Sequence, residues 1–188
     1  MLLQCTETKP PHPAGIFLAV CVDVIGLGPR VVVYNGKERL AQQVRFVFET
    51  QVPGSPPRYL ARTFTASLNV NARLNEFLGQ WRGKPILPGD TLDLQKLIGV
   101  SATLVISHQP RRDGDGIFAA IDGVSRPTKP LVPSGAYDRA AAHARVAEEN
   151  ARFTAPRRAA SQSFAAPATG NLASQTPAVE TGIDDVPF

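Results

Sequence analysis

The sequence predicts a mainly β protein of five strands, with one amphipathic helix between the third and fourth strands and a disordered C-terminal tail. Three observations carry that expectation. Several segments alternate at the period of a strand: Gln42 to Thr50 puts Val44, Phe46 and Phe48 on one face and Arg45, Val47 and Glu49 on the other. One segment has the helical period instead, with Leu74, Phe77, Leu78 and Trp81 at i, i+3, i+4 and i+7. From Pro130 onward the composition turns to Ala, Ser, Thr, Gln and Pro, which leaves little to bury.

In order, residues 1–13 are a polar, proline-broken, flexible lead, and the folded domain is expected over 14–129. Gly15 to Leu27 is the first strand, broken by Gly26, Gly28 and Pro29. Val31 to Tyr34 is a short apolar run ending at Asn35-Gly36, a strong hairpin-turn signal. Gln42 to Thr50 is the second strand and Pro53 to Pro57 a loop. In the third strand, Tyr59 to Leu68, Leu60, Phe64, Ala66 and Leu68 share one parity, and Tyr59, Thr63 and Thr65 the other. Asn69 or Asn71 can cap the helix, and Gly83 with Pro85 ends it. Asp93 to Ile98 reads as a second short helix stopped by Gly99. Ser101 to Gln109 and Ile117 to Val124 are the last strands, joined by a turn that carries Arg111 and Arg112.

Three strands, a helix and two more strands is the element order of an OB-fold, a five-stranded Greek-key barrel. Such barrels bind oligonucleotides or oligosaccharides on the face of strands two and three, flanked by the loops between strands one and two and between four and five. Here those loops hold Arg30, Lys37 and Arg39, then Arg111 and Arg112. The charge is placed accordingly: residues 1–129 carry 15 Lys and Arg against 10 Asp and Glu, and the remainder 5 against 6. With 188 residues, 43% hydrophobic, the chain has material for one ordinary core. Cys5 and Cys21 lack CxxC spacing, so reduced thiols and an intracellular setting are expected. The apolar run Ala14 to Val22 is followed at once by Asp23 and lacks a charged leader and a cleavage site, which argues for a buried strand over a signal peptide.

Binding single-stranded nucleic acid needs cations for phosphates and aromatic faces for bases. Arg39, Arg45, Arg62, Arg111 and Arg112, with Lys37, are the candidate phosphate contacts. Tyr34 and Tyr59 are the candidate stacking platforms, each with a polar tip beside a loop, and Phe48 or Phe64 are further candidates. Two readings stay open for Phe48, which shares a face with Val44 and Phe46: core residue or platform. Trp81 with Phe77, Leu74 and Leu78 is expected to plug the core. Enzyme signatures are wanting, so no catalytic residue, metal or cofactor is expected. Gly26-Leu27-Gly28 lacks the third glycine of a dinucleotide fingerprint, the three histidines lack metal-ligand spacing, and Asp113-Gly114-Asp115-Gly116 reads as a hairpin turn.

Residues 130–179 read as a linker, with helix-forming composition but no broad apolar stripe at 135–152; residues 180–188 form an acidic tip. The ending Asp184-Asp185-Val186-Pro187-Phe188 resembles the acidic C-terminal tip of bacterial single-stranded-DNA-binding proteins. Phe64-Thr65-Ala66-Ser67-Leu68, Trp81-Arg82-Gly83-Lys84-Pro85, Asp93-Leu94 with Leu97-Ile98-Gly99, and Leu104-Val105-Ile106-Ser107-His108 resemble a phage-encoded family of OB-fold single-stranded-DNA-binding proteins. Phe64 stands where that family has tyrosine, and Phe48 where it has tryptophan. The resemblance implies a non-enzymatic protein that coats single-stranded DNA in replication, recombination or repair in a bacterial host's cytoplasm. It also implies that the tip recruits partner proteins; the chemistry of the tip suits that, since Phe188 and Pro187 can fill an apolar pocket and Asp184 and Asp185 can meet a basic rim. Two alternatives remain, an interaction adaptor and an RNA-binding protein; homo-oligomerisation is open.

Overall fold

The computed structural model describes residues 10–34, 36–52, 54–111 and 116–160, without the side chains of Tyr34 and of residues 153–160. Met1–Arg152 forms one unit and Phe153–Phe188 another. The expectations for Cys5, Arg112 and the tip residues 180–188 lie outside the described residues. No helix among the described residues is long and apolar enough to cross a membrane.

The first unit is mainly β. Strands β1 (Gly15–Tyr34), β2 (Lys37–Thr50), β3 (Arg58–Thr65), β4 (Ser101–Pro110) and β5 (Ile117–Ser125) form one sheet in the order β3-β2-β1-β4-β5. Every neighbouring pair is antiparallel. The edge strands approach each other, and Arg62 of β3 donates to the Asp122 carbonyl of β5 at 3.0 Å. Helix α1 (Arg73–Arg82) lies between β3 and β4 in the chain, and helix α2 (Arg139–Ala160) follows β5.

Strand β1 corrects the expectation of a break at Gly26, Gly28 and Pro29. It pairs with β2 from Ala19 to Tyr34, with register shifts at Cys21/Asp23 and Gly26/Gly28. Gly28 sits at φ 73°, a left-handed conformation that glycine adopts without strain, so the extra residue is absorbed as a bulge. Pro29 is tolerated because β4 pairs only with Gly15 to Val20, so one edge of β1 is unpaired there. As a result β2 begins at Lys37, and the expected loop between the first strands is a long two-stranded ribbon. Where the ribbon outruns the core, Val31, Val33 and Leu40 are left exposed.

One core fills the inner face. Phe46, Phe48, Phe64, Phe77 and Trp81 pack with Cys21, Val24, Leu74, Leu78, Leu104 and Ile121, all buried. Trp81 donates its indole N–H to the Ser101 carbonyl at 2.8 Å, so its polar atom is satisfied inside the core. The helix starts without a side-chain cap: Ala72 is the N-cap, and neither Asn69 nor Asn71 fills that role. Asn75 instead donates to the Leu68 carbonyl at 2.7 Å, holding the turn that leads in. Gly83 closes α1 at φ 65°, and the Lys84 N–H reaches back to Gly79 in a Schellman arrangement. Leu94–Leu97 is a 3-10 turn capped by Asp93, shorter than the helix expected there.

A second apolar cluster lies on the outer face. Val20, Val22, Ile25, Leu27 and Val47 are buried beneath Val146, with Leu131, Tyr137 and Ala142 packed against them. Residues 131–152 therefore belong to the folded unit, where the composition predicts linker. The lead is also held at its end: Arg58 donates to the carbonyls of Pro10 and Pro11, and His12 is buried against Thr50.

Candidate nucleic-acid interface

Strand β2 is unbulged, so its side chains alternate strictly between faces. Phe46 and Phe48 point to the core; Lys37, Arg39, Arg45, Val47 and Glu49 share the other face. Lys37 and Arg39 are exposed near the ribbon's end, and Arg45 is half-buried where the ribbon meets the sheet. On β3, Thr63 lies directly opposite Arg45 and accepts from its Nε at 3.4 Å. Tyr59 lies opposite Glu49, 38% exposed. The structure thus brings three of the expected cations and one expected aromatic onto one face of β2 and β3.

Other expected site residues lie elsewhere. Phe48 is 0% exposed and Phe64 5%, each against Phe77, with ring centroids 6.3 and 4.7 Å away. Neither can offer a ring face to a base without opening the core, so both are corrected to core residues. Arg62 has the parity of Phe64 and faces inward. Its guanidinium lies over the rings of Phe64 and Phe77, 5.1 and 5.4 Å from the centroids, and burial lowers its pKa from the ordinary value. It ties β3 to β5 and is corrected from phosphate contact to structural cation. Arg111 is exposed on the β4–β5 turn, where its N–H bonds to the Gly116 carbonyl at 3.1 Å. The backbone of Tyr34 pairs with Lys37 at the ribbon's end.

Two buried carboxylates that sequence reasoning did not assign stand on the same face. Asp23 is 0% exposed and accepts from the Val24 N–H at 2.9 Å, the Arg139 Nε at 3.1 Å and the Tyr137 hydroxyl at 3.4 Å. His143 Nε2 lies 3.1 Å from its Oδ2. Glu49 is also 0% exposed; it accepts from the Ser134 N–H and hydroxyl at 2.8 and 2.9 Å, and from the Gln51 amide at 3.3 Å. A buried carboxylate must be compensated, and residues 134–143 supply most of the donors.

Tyr137 bridges this network and the face. Its ring centroid is 5.2 Å from that of Tyr59, with the planes at 53°. Burial, then the neighbouring Asp23, pushes its hydroxyl up to about 12, while Arg139 and Arg45 pull the other way. Val22, Glu49, Pro133, Gly135, Tyr137 and Arg139 line an open pocket of about 120 Å³. Small-molecule pockets run to roughly 300–1,000 Å³, so this one is too small to take such a ligand. Cys21 is buried in the inner core, which pushes its thiol up to about 12 and leaves it unreactive. Among the described residues no cluster of His, Cys, Asp and Glu could hold a metal ion.

No family model matches the chain, and no solved structure matches it. Among curated proteins it is similar to a 3-hydroxyacyl-[acyl-carrier-protein] dehydratase FabZ of Thermomicrobium roseum, 39% identical over 64 residues. That stretch is 32% of this chain and 42% of the relative's length, and a match over so small a share of both assigns no family.

Proposed function

We propose that the chain is an OB-fold protein that coats single-stranded DNA, and that the uncovered part of the outer face, from Lys37 to Arg45 on β2 and from Tyr59 to Thr63 on β3, is its binding surface. The observation that carries this reading is the row Lys37, Arg39 and Arg45 on one face of β2, running to the exposed ring of Tyr59 on β3. Cations spaced along a strand track a phosphate backbone, and an aromatic face accepts any base, so the pairing suits a single strand read with little sequence preference. The fold reading rests on the sheet order, on the helix between β3 and β4, and on the approach of β3 to β5 at Arg62 and Asp122. Arg111 and Arg112 would extend the basic track from the β4–β5 turn. Asp184, Asp185, Val186, Pro187 and Phe188 would recruit replication or recombination proteins, as the resemblance of the tip implies.

Fluorescence anisotropy of a labelled oligo-thymidine, across a salt series and beside a duplex and an oligo-uridine, tests the reading. Three to five phosphate contacts on a single strand predict a log–log salt slope of about −2 to −3.5, from about −0.7 per contact. Tight binding to the single strand and much weaker binding to the duplex is the expected result. No binding at low salt sinks the proposal; a clear preference for oligo-uridine moves it to RNA.

A further inference from the structure

Tyr137 comes from the segment after β5, outside the five strands, yet its ring lies against Tyr59 on the proposed binding face. The two planes are inclined at 53°, so the rings are tilted against each other rather than stacked face to face; Tyr59 is 38% exposed and Tyr137 is half-buried. Tyr137 is held there independently of any ligand. Its hydroxyl donates to the buried Asp23, the same carboxylate holds Arg139 and His143, and Ser134 is anchored to Glu49 three residues earlier. A ring fixed in advance loses little freedom when a base arrives. Next to Tyr59 on β3, facing the same side, is the short side chain of Ala61, then Thr63 beside Arg45. From Tyr59 to Thr63 is four residues, roughly 13 Å at the strand rise, about two nucleotides of extended single strand.

We propose that Tyr137 and Tyr59 together form a two-ring platform for one nucleobase of a single-stranded nucleic acid, with Arg45 taking a phosphate one or two nucleotides along. The inference deepens the DNA-binding reading and rests on it. It gives the segment after β5 one residue in the binding site, and names Tyr137 as a binding residue that strand patterning could not reveal.

Three forms of the full chain test it against labelled oligo-thymidine: unsubstituted, Tyr137→Leu and Tyr137→Phe. Stacking is worth about 1–3 kcal/mol per base, so Tyr137→Leu is expected to weaken binding about tenfold, within a range of about 5- to 150-fold, at an unchanged salt slope. Tyr137→Phe keeps the ring and should stay within about threefold of the parent. A second measurement needs no variant: ultraviolet crosslinking of bromodeoxyuridine-substituted single strand to the unsubstituted chain, mapped by mass spectrometry, should label the peptide containing Tyr137 or Tyr59. If the unsubstituted chain binds and Tyr137→Leu binds equally well or tighter, or the crosslinks avoid both tyrosines, this proposal is overturned and the DNA-binding reading stands. If the unsubstituted chain does not bind, both fall.

Discussion

Replacing Arg139 and His143 together by alanine should destabilise the protein more than replacing the carboxylate they serve. Asp23 is 0% exposed, whereas the side chains of Arg139 and His143 are 49% and 48% exposed. Removing the two bases strands a buried carboxylate, for which about 3–5 kcal/mol is typical. The low end applies, about 3 kcal/mol, because the Val24 N–H at 2.9 Å and the Tyr137 hydroxyl at 3.4 Å still reach it. In Asp23→Asn, by contrast, Arg139 and His143 can turn to water, and the loss should be about 1.5–2 kcal/mol, the low end for a hydrogen bond to a charged group. The assay is urea unfolding of the full chain, followed by the fluorescence of the buried Trp81. With a slope of about 2 kcal/mol per molar urea, the double variant's midpoint should fall by about 1.5 M. Adding Asp23→Asn to the double variant should then restore about half of that or more, since a neutral amide needs no counter-charge. A double variant that unfolds at the parent midpoint, or a triple variant less stable than the double, would refute the reasoning.

Three further outcomes follow from the same geometry. Phe48→Ala should cost about 3–5 kcal/mol in urea unfolding, as a buried ring does, while oligo-thymidine affinity of the folded fraction changes less than about twofold; a selective loss of affinity would return Phe48 to the stacking face. Lys37→Ala and Arg45→Ala should each make the log–log salt slope shallower by about 0.7, in anisotropy titrations from low to moderate salt. Cys21 and Tyr137 each titrate at about 12 when folded, against ordinary values of 9.0 and 10.0, so the folded state holds their protons more tightly. That stabilisation is complete below about pH 9 and is lost as pH rises from there through about 12. The urea midpoint should therefore fall between pH 8 and pH 11, and Cys21→Ala should flatten the fall relative to its own value at pH 8.

Most of the sheet was legible because a half-buried strand writes its burial into the parity of its residues. Val44, Phe46 and Phe48 read inward from the pattern alone, and they are inward. The same parity already placed Arg62 with Leu60 and Phe64, and Phe48 with Phe46; assigning them to a binding face let residue type outweigh position. In sequence the bulge at Gly28 looks like a strand end because glycine and proline signal both, and only the pairing with β2 tells them apart. The outer cluster left a fainter trace. Leu131, Tyr137, Ala142 and Val146 are four contacts spread over sixteen residues, too sparse for a periodic signal. Asp23 stands 116 and 120 residues from Arg139 and His143, a separation that no local pattern spans.

The two buried carboxylates explain how so sparse a segment takes up one position. Apolar contact is non-directional, and a few side chains lying on a valine-rich face could slide along it at small cost. Hydrogen bonds to buried carboxylates do not slide. Glu49 requires the N–H and hydroxyl of Ser134, and Asp23 requires Arg139 and His143, which fall on one side of α2 at i and i+4. A shift by one residue would leave Asp23 with only the Val24 N–H and Glu49 with only the Gln51 amide, each an under-compensated buried carboxylate at a cost of several kcal/mol. These anchors lie on either side of Tyr137 in the chain, and its ring lies between them in sequence, against Tyr59. Buried charge here contributes register more than stability, and the register it sets is that of the aromatic pair on the candidate binding face.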